Sequence, residues 1–332
     1  MTSKFAAYRT FNENGKTISR FVDMAVDELD PGEVLIRAEY SDINYKDALS
    51  HDGTGKIIRR FPCNAGIDVA GEVIESSDAR FKPGDKVIVT SWDFGVAHDG
   101  GYSQMVRVPA KWVVPMPEGM TTFEAMVLGT AGFTAGLAVE RMEHDGLSPD
   151  KGPVVVTGAT GGVGSVAIEI LAKRGYHVVA LTGKPEEADY LKLIGAAEII
   201  NRKTIDWGKR PLEKATWAGA VDNIGGDALA WMTRTMLQGG TIASCGLAAS
   251  IDLHSTVMPF ILRGVSLLGI DSGYWPMPQR TKLWQRLATE WKPMKVGAAV
   301  KIVKLDRLPD VFRNLLDGRM TGRYVVEIAG SR

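Results

Sequence analysis

The chain has 332 residues, with 39 basic and 39 acidic side chains and 45% hydrophobic residues. A chain of this length favours two domains, because single cores stop growing at roughly 250–300 residues. The neutral balance gives no electrostatic reason to expect a nucleic acid or a membrane as partner. Two cysteines, Cys63 and Cys245, can build neither a disulfide framework nor a four-thiolate zinc site. The 37 glycines point to many tight turns.

Met1–Asn14 carries Lys4, Arg9 and Glu13 and lacks the continuous apolar core of a signal peptide. The first third reads as strands and turns. Glu33–Tyr40 alternates after a Pro31-Gly32 turn, Val69–Ile74 and Lys86–Thr90 are short apolar runs, and Ser103–Val108 alternates again. From Thr122 the period changes. A helix is expected over Phe123–Val139, followed by strand Val154–Thr157, helix Val163–Arg174, strand His177–Leu181, helix Glu186–Ile194 and strand Glu198–Ile200. Strand Ala220–Asn223, helix Asp227–Leu237, strand Thr241–Gly246 and strand Val265–Ile270 continue the series. Helices Gln279–Trp291 and Leu308–Leu316 and strand Tyr324–Ile328 close it. The longest uncharged runs, Ala125–Val139 and Gly152–Ile168, fall short of the ~20 residues of a spanning helix. The expectation is a cytoplasmic protein.

Strands alternating with helices mean βαβ units and a parallel sheet covered on both faces. The expected fold class is α/β, a doubly wound parallel sheet of Rossmann type inserted in a β-rich domain. Residues 1–123 form the β-rich domain, 124–262 the parallel-sheet domain, and 263–332 a segment returning to the first. A ligand is expected in a cleft between them.

The strongest local signal is Gly158–Gly164 (GATGGVG), entered from the apolar strand Val154–Thr157 and left by an apolar helical pattern. That is the setting of a dinucleotide fingerprint. Gly161 lets backbone approach a pyrophosphate, and Gly164 lets helix pack on strand. Amides near Gly162 and Val163 at the positive helix end supply the anion site. Ala159 stands in the first place of the strict pattern, and the plainer reading is a ligand-free βα turn.

Cofactor choice is read at the end of the second strand, where an NAD site usually has Asp or Glu to accept from the ribose hydroxyls. Here Thr182, Gly183 and Lys184 follow Leu181. A hydroxyl, an amide and a cation suit a 2′-phosphate, so NADPH is expected over NADH. Arg202 is either a second cation over the adenine ribose or a solvated arginine. The five histidines show no metal-ligand spacing, and neither a nucleophile elbow nor a P-loop is present. No metal is expected.

The blocks Phe81–Val87 (FKPGDKV), Gly129–Ala135 (GTAGFTA) and Gly158–Gly164 resemble the zinc-free medium-chain dehydrogenase/reductases of the quinone oxidoreductase and enoyl reductase branch. The resemblance covers most of the chain and implies a GroES-like catalytic domain beside the Rossmann domain. Zinc-containing members carry a Cys before the first active-site helix and a Gly-His-Glu further on. This chain has Asp42-Ile43-Asn44-Tyr45 and Gly66-Ile67-Asp68 there. A narrower similarity, to NADPH-dependent acrylyl-CoA reductases, rests on Ser41–Ala48, Gly55–Pro62, Arg210–Gly219 and Val257–Arg263.

That resemblance implies conjugate reduction. NADPH gives hydride to the β-carbon of a short 2-enoyl-CoA such as acrylyl-CoA, and a proton follows at the α-carbon, giving propanoyl-CoA. It places Tyr45, Thr160, Gly161, Gly162, Val163, Thr182, Gly183, Lys184, Arg202, Leu247, Ile261 and Ser272 at the nucleotide, with Arg323 beside them. Tyr45 is the active-site hydroxyl, orienting substrate or aiding proton delivery, unless it only packs on the nicotinamide ribose; Asn44 supports its loop. Asp68 is either a second polar group of the site or a strand-capping carboxylate, and Lys56, Arg59 and Arg60 either meet CoA phosphates or are solvated. The partner is an acyl-CoA, with a homodimer expected through Val265–Ile270. The competing readings are an NADPH:quinone oxidoreductase and a non-catalytic NADPH-binding redox sensor.

Overall fold

A computed structural model of the chain describes residues 4–330. It divides into two compact units. One takes the chain up to Thr130, Gly273–Thr289 and the chain from Val300 on; the other takes Ala131–Ser272 and Glu290–Ala299.

The second unit is built on six parallel strands in the spatial order Glu198–Asn201, Val178–Thr182, Val154–Thr157, Trp217–Asp222, Met236–Ser244 and Ser266–Gly269. Numbered along the chain from Val154, that order is 3-2-1-4-5-6, the doubly wound dinucleotide-binding topology. Val154, Val155 and Val156 are wholly buried, as expected of strands covered on both faces. The direction of winding reverses between the Val154 and Trp217 strands, so the ends at Thr157 and Asp222 flank the switch point where such sheets take ligands. Helix Gly162–Lys173 buries Val166, Ala167, Ile170 and Leu171. It also buries Glu169, whose carboxylate accepts from the backbone amides of Met294 (2.6 Å), Lys295 (2.7 Å) and Val296 (2.6 Å). These bonds tie Glu290–Ala299 into this unit.

The first unit carries a seven-stranded mixed sheet in which Val300–Lys304, Arg323–Glu327, Val34–Asp42, Asp68–Ser76, Lys86–Thr90 and Val113–Pro115 run in order, with Met105–Val108 also paired to Val34–Asp42. A smaller sheet holds the antiparallel hairpin Phe5–Glu13 and Lys16–Met24. Its core gathers Val34, Ile36, Val69, Val73, Tyr102 and Phe312.

Several elements depart from the periodicity reading. The hairpin Phe5–Met24 and strand Val300–Lys304 are added. Tyr45–Asp52, read as a loop, is a helix. The compact units change over at Thr130 and Ser272, against boundaries of 123 and 262 read from the pattern. The long helix Thr122–His144 spans the first changeover and is interrupted at Gly129 (φ 51°, ψ −154°). At the second, strand Ser266–Gly269 pairs in parallel with Met236–Ser244 and so joins the second unit. Thr122–His144 is long and apolar enough to span a membrane, yet 83% of its apolar window is buried inside the protein; it is a core helix.

Candidate active site

In the second unit the glycine turn is a backbone device. Gly158 adopts φ 57°, and a side chain at Gly164 would place its Cβ 2.4 Å from the Gly158 carbonyl oxygen. Only a bare backbone lets helix Gly162–Lys173 start so close to the strand. The first amides of that twelve-residue helix lack intrahelical acceptors by construction and carry the positive dipole end. Gly161, Gly162 and Val163 lie there; Thr160, just before, is buried. Below the turn, Thr157 Oγ1 donates to Asp222 (3.0 Å), Asn223 Nδ2 donates to the Thr157 carbonyl (2.6 Å), and Asp222 accepts from the Gly225 amide (3.1 Å). Burial raises Asp222 above the ordinary carboxylate range, against those donors.

At the end of the neighbouring strand, Thr182 is buried and its Oγ1 accepts from the Lys184 amide (3.0 Å). The hydroxyl oxygen therefore shapes the loop. Arg202 lies alongside: a Cβ on Gly183 would meet Arg202 Nη2 at 3.4 Å. Lys184 and Arg202 thus come to the same end of the sheet. Burial lowers the Lys184 ammonium from its usual range, partly offset by Glu187 and Glu186. Arg202 also lines a cavity of about 330 Å³ with Trp207, Gly225, Asp227, Asp252 and His254. The cavity lies past the ends of strands Glu198–Asn201 and Trp217–Asp222, and its size suits one end of a nucleotide.

The remaining expected contacts are more scattered. Leu247 and Ile261 are 54% and 72% exposed, on the loop after Ser244 and on helix Met258–Arg263. Ser272 is buried and accepts from Thr134 Oγ1 at 2.7 Å.

In the first unit, Asn44 caps helix Tyr45–Asp52 and Tyr45 is its first residue, 38% exposed. The Asn44 amide donates to Asp47 Oδ2 (2.9 Å), and Asp47 Oδ1 accepts from the Ile67 amide (3.1 Å). Asn44 Nδ2 donates to both Asp42 Oδ1 (2.7 Å) and Asp68 Oδ2 (2.8 Å). Asp68 also accepts from the amide (2.7 Å) and hydroxyl (2.6 Å) of Thr130, so it belongs to a polar cluster and does not merely cap a strand. Asp42 pairs with Arg323, whose Nε donates to the Val127 carbonyl (2.7 Å). All three aspartates and Arg323 are buried. Burial and the Asp68 charge hold Asp42 well above the usual carboxylate range against the pull of Arg323. The same two causes push Asp47 up to about 7. Arg323 is thus held inside the first unit by Asp42 and the Val127 carbonyl. Arg59 and Arg60 are likewise engaged, with Asp93 and with Asp30 and Asp99.

Motif reading missed the cluster of Asp42, Asp47, Thr130 and Arg323. Its only sequence signal is aspartate inside apolar strands, at Asp42 and Asp68. Among the described residues, no group of three His, Cys, Asp or Glu side chains is placed to hold a metal ion.

A glycine cradle at the switch point of a 3-2-1-4-5-6 sheet, in a chain that also carries a β-rich unit, defines a nucleotide-dependent dehydrogenase fold. Two family models match: the alcohol dehydrogenase GroES-like domain over residues 30–118 and the zinc-binding dehydrogenase over 162–289. The chain belongs to the medium-chain dehydrogenase/reductase family. It is 49% identical to the acrylyl-CoA reductase AcuI of Ruegeria pomeroyi over 317 residues, 95% of this chain and 96% of that one. Escherichia coli YhdH, crystallised with NADPH, superposes with a TM-score of 0.94 at 42% identity, covering 97% of this chain and 99% of its own. The Bacillus subtilis protein YhfP, named for quinone oxidoreduction and crystallised with NAD, gives 0.95 at 45% identity over 98% and 100%.

Proposed function

We propose that this chain is an NADPH-dependent reductase of the carbon–carbon double bond of a short 2-enoyl-CoA, with acrylyl-CoA reduced to propanoyl-CoA as its reaction. The observation that carries the reading is near-full-length similarity to an acrylyl-CoA reductase at 49% identity. The nucleotide cradle and its two neighbouring cations support it.

The residues fit the cofactor. A Cβ at Gly164 would fill the turn, and the three residues directly after Leu181, where an NAD site usually has its acid, are Thr182, Gly183 and Lys184. Gly161, Gly162 and Val163 would hold the pyrophosphate through their amides. Thr182 shapes the loop on which Gly183 and Lys184 meet the 2′-phosphate, and Arg202 adds a second cation there. Thr160, Leu247, Ile261 and Ser272 would line the rest of the nucleotide. When bound, NADPH supplies the hydride. Tyr45 contributes a hydroxyl that orients the thioester or carries a proton toward its α-carbon. Asn44 sets where that hydroxyl starts, by capping the helix of which Tyr45 is the first residue. Donors aimed at the thioester oxygen lower the barrier because negative charge gathers there.

Homodimerisation is part of the proposal. Strand Ser266–Gly269 is an edge of the parallel sheet, and Ile251, Val257, Ile261 and Leu262 nearby in sequence are exposed apolar side chains. A cytoplasmic location is proposed with it.

The second reading, reduction of a quinone at the same nucleotide site, draws on YhfP, 46% identical over 99% of this chain. Purified protein decides between them. NADPH oxidation driven by acrylyl-CoA and not by simple quinones is expected; the reverse pattern replaces this proposal with the second. Tight NADPH binding with neither acceptor reduced removes both.

A further inference from the structure

Three separate stretches of chain bring Asp42 and Asn44, Asp68, and Arg323 into one buried group. Asp42 and Asp68 have no exposed surface. They share a donor, because the two hydrogens of Asn44 Nδ2 go one to each. The two carboxyls therefore crowd one point, each with an oxygen within 2.8 Å of the same nitrogen. Two ionised carboxylates are acceptors only, so at such close quarters they repel unless one of them carries a proton that it can donate to the other. The space is closed around the pair: a Cβ on Gly129 would lie 1.7 Å from Asp42 Oδ2 and 2.8 Å from Asp68 Oδ2.

The charges give the same answer. Asp42 pairs with Arg323, Asp68 and Asp47 add two more acids close enough to act on Asp42, and the Tyr102 hydroxyl donates to the Asp42 backbone carbonyl at 2.8 Å. Three ionised carboxyls beside one guanidinium, all buried, would leave uncompensated charge in a low dielectric. One shared proton makes Asp42, Asp68 and Arg323 neutral as a set. That arrangement leaves a carboxylate of fixed orientation to receive Asn44 Nδ2 and both donors of Thr130.

We propose that Asp42 and Asp68 hold one proton between them, and that Asp68 in this state is a positioning residue. It fixes Asn44, and through Asn44 the start of the helix that presents the Tyr45 hydroxyl. The inference rests on the reductase reading above. Asp68 itself acts only through Asn44 and Thr130. Asp68→Asn keeps a single acceptor oxygen where Asn44 Nδ2 and the amide and hydroxyl of Thr130 now find two, so the donors must rearrange and the cap moves with them.

The test uses the full-length protein with NADPH and acrylyl-CoA. Asp68→Asn is expected to lower kcat by about tenfold or more, the scale of a misplaced reacting group, with KM within about threefold and the NADPH Kd unchanged. Its kcat–pH profile should differ in shape from that of the wild type. Infrared difference spectra supply a readout independent of turnover: wild type minus Asp42→Asn, and wild type minus Asp68→Asn, should each contain the carbonyl stretch of one protonated carboxyl. If Asp68→Asn does not fold, Thr130→Val removes one donor to Asp68 and should lower kcat several-fold, with Thr130→Ser restoring it. Unchanged kcat and pH profile in Asp68→Asn, unchanged kcat in Thr130→Val, or no protonated-carboxyl band would overturn the inference while leaving the reductase reading intact. A wild type that reduces no enoyl-CoA overturns that reading, and the positioning role with it.

Discussion

The two units use opposite means to prepare a site. In the parallel-sheet unit the work is done by backbone: glycines without side chains, amides of a helix start, and a carbonyl approached to within 2.4 Å of where a Cβ would be. In the β-rich unit it is done by side chains, with buried aspartates, an asparagine and an arginine joined by short hydrogen bonds. A backbone site is tolerant of its surroundings and intolerant of added atoms. A side-chain network is intolerant of changes in charge.

Substitutions sharpen that contrast. The largest effect is expected at Gly129, where both demands meet. Its φ is 51° and a Cβ would overlap Asp42 Oδ2, so Gly129→Ala should cost about 3 kcal/mol or more of stability, read as a lower denaturant midpoint. An unchanged midpoint would mean that the carboxylates are not confined. Next is Lys184→Ala. Losing a charge-assisted contact to phosphate should weaken NADPH binding by about 10- to 100-fold and NADH by less than about twofold, measured by fluorescence titration. Equal losses would remove the 2′-phosphate assignment. Tyr45→Phe, at a half-exposed helix start, should leave the midpoint alone and reduce kcat by about tenfold; unchanged kcat assigns Tyr45 a packing role.

The smallest effect is a pH slope. Folded Asp47 titrates near 7, against about 3.9 for a free aspartate. Between those values the folded chain binds more protons than the unfolded chain, so this group's contribution to stability falls as pH rises from about 4 to 7. Asp42, also raised, adds a contribution of the same sign. Asp47→Asn should therefore flatten the decline of Tm with pH across that window. Identical slopes in wild type and variant would show that Asp47 ionises as a solvated group.

The same contrast explains what could be read in advance. Runs such as VVVT and VVALT are legible because a strand buried on both faces must be continuously apolar, and the glycine turn is legible because its residues are neighbours in the chain. The hairpin Phe5–Met24 escaped because its second strand is largely exposed and carries Lys16, Arg20 and Asp23 among its apolar residues. Strand Val300–Lys304 is also mostly exposed. Asp42, Asp68, Thr130 and Arg323 meet only after the chain has folded, and local pattern gives no hint that an arginine near the C-terminus belongs with an aspartate 281 positions earlier. Asn44 and Tyr45 were singled out through family likeness, and the reason Asn44 matters, one amide shared by two carboxyls, lies in three dimensions.

Glu169 and the three amides it receives bear on how this enzyme is dissected. The polypeptide passes between the two units after Thr130, Ser272, Thr289 and Ala299. A clone of 131–272 would omit the short strap at 290–299, stranding a buried acid and removing Trp291, which is 1% exposed. A free-standing nucleotide module therefore needs that strap grafted back. Chimaeras that exchange halves with a relative have to be spliced at four seams, since a swap at two would take the halves apart along the wrong lines.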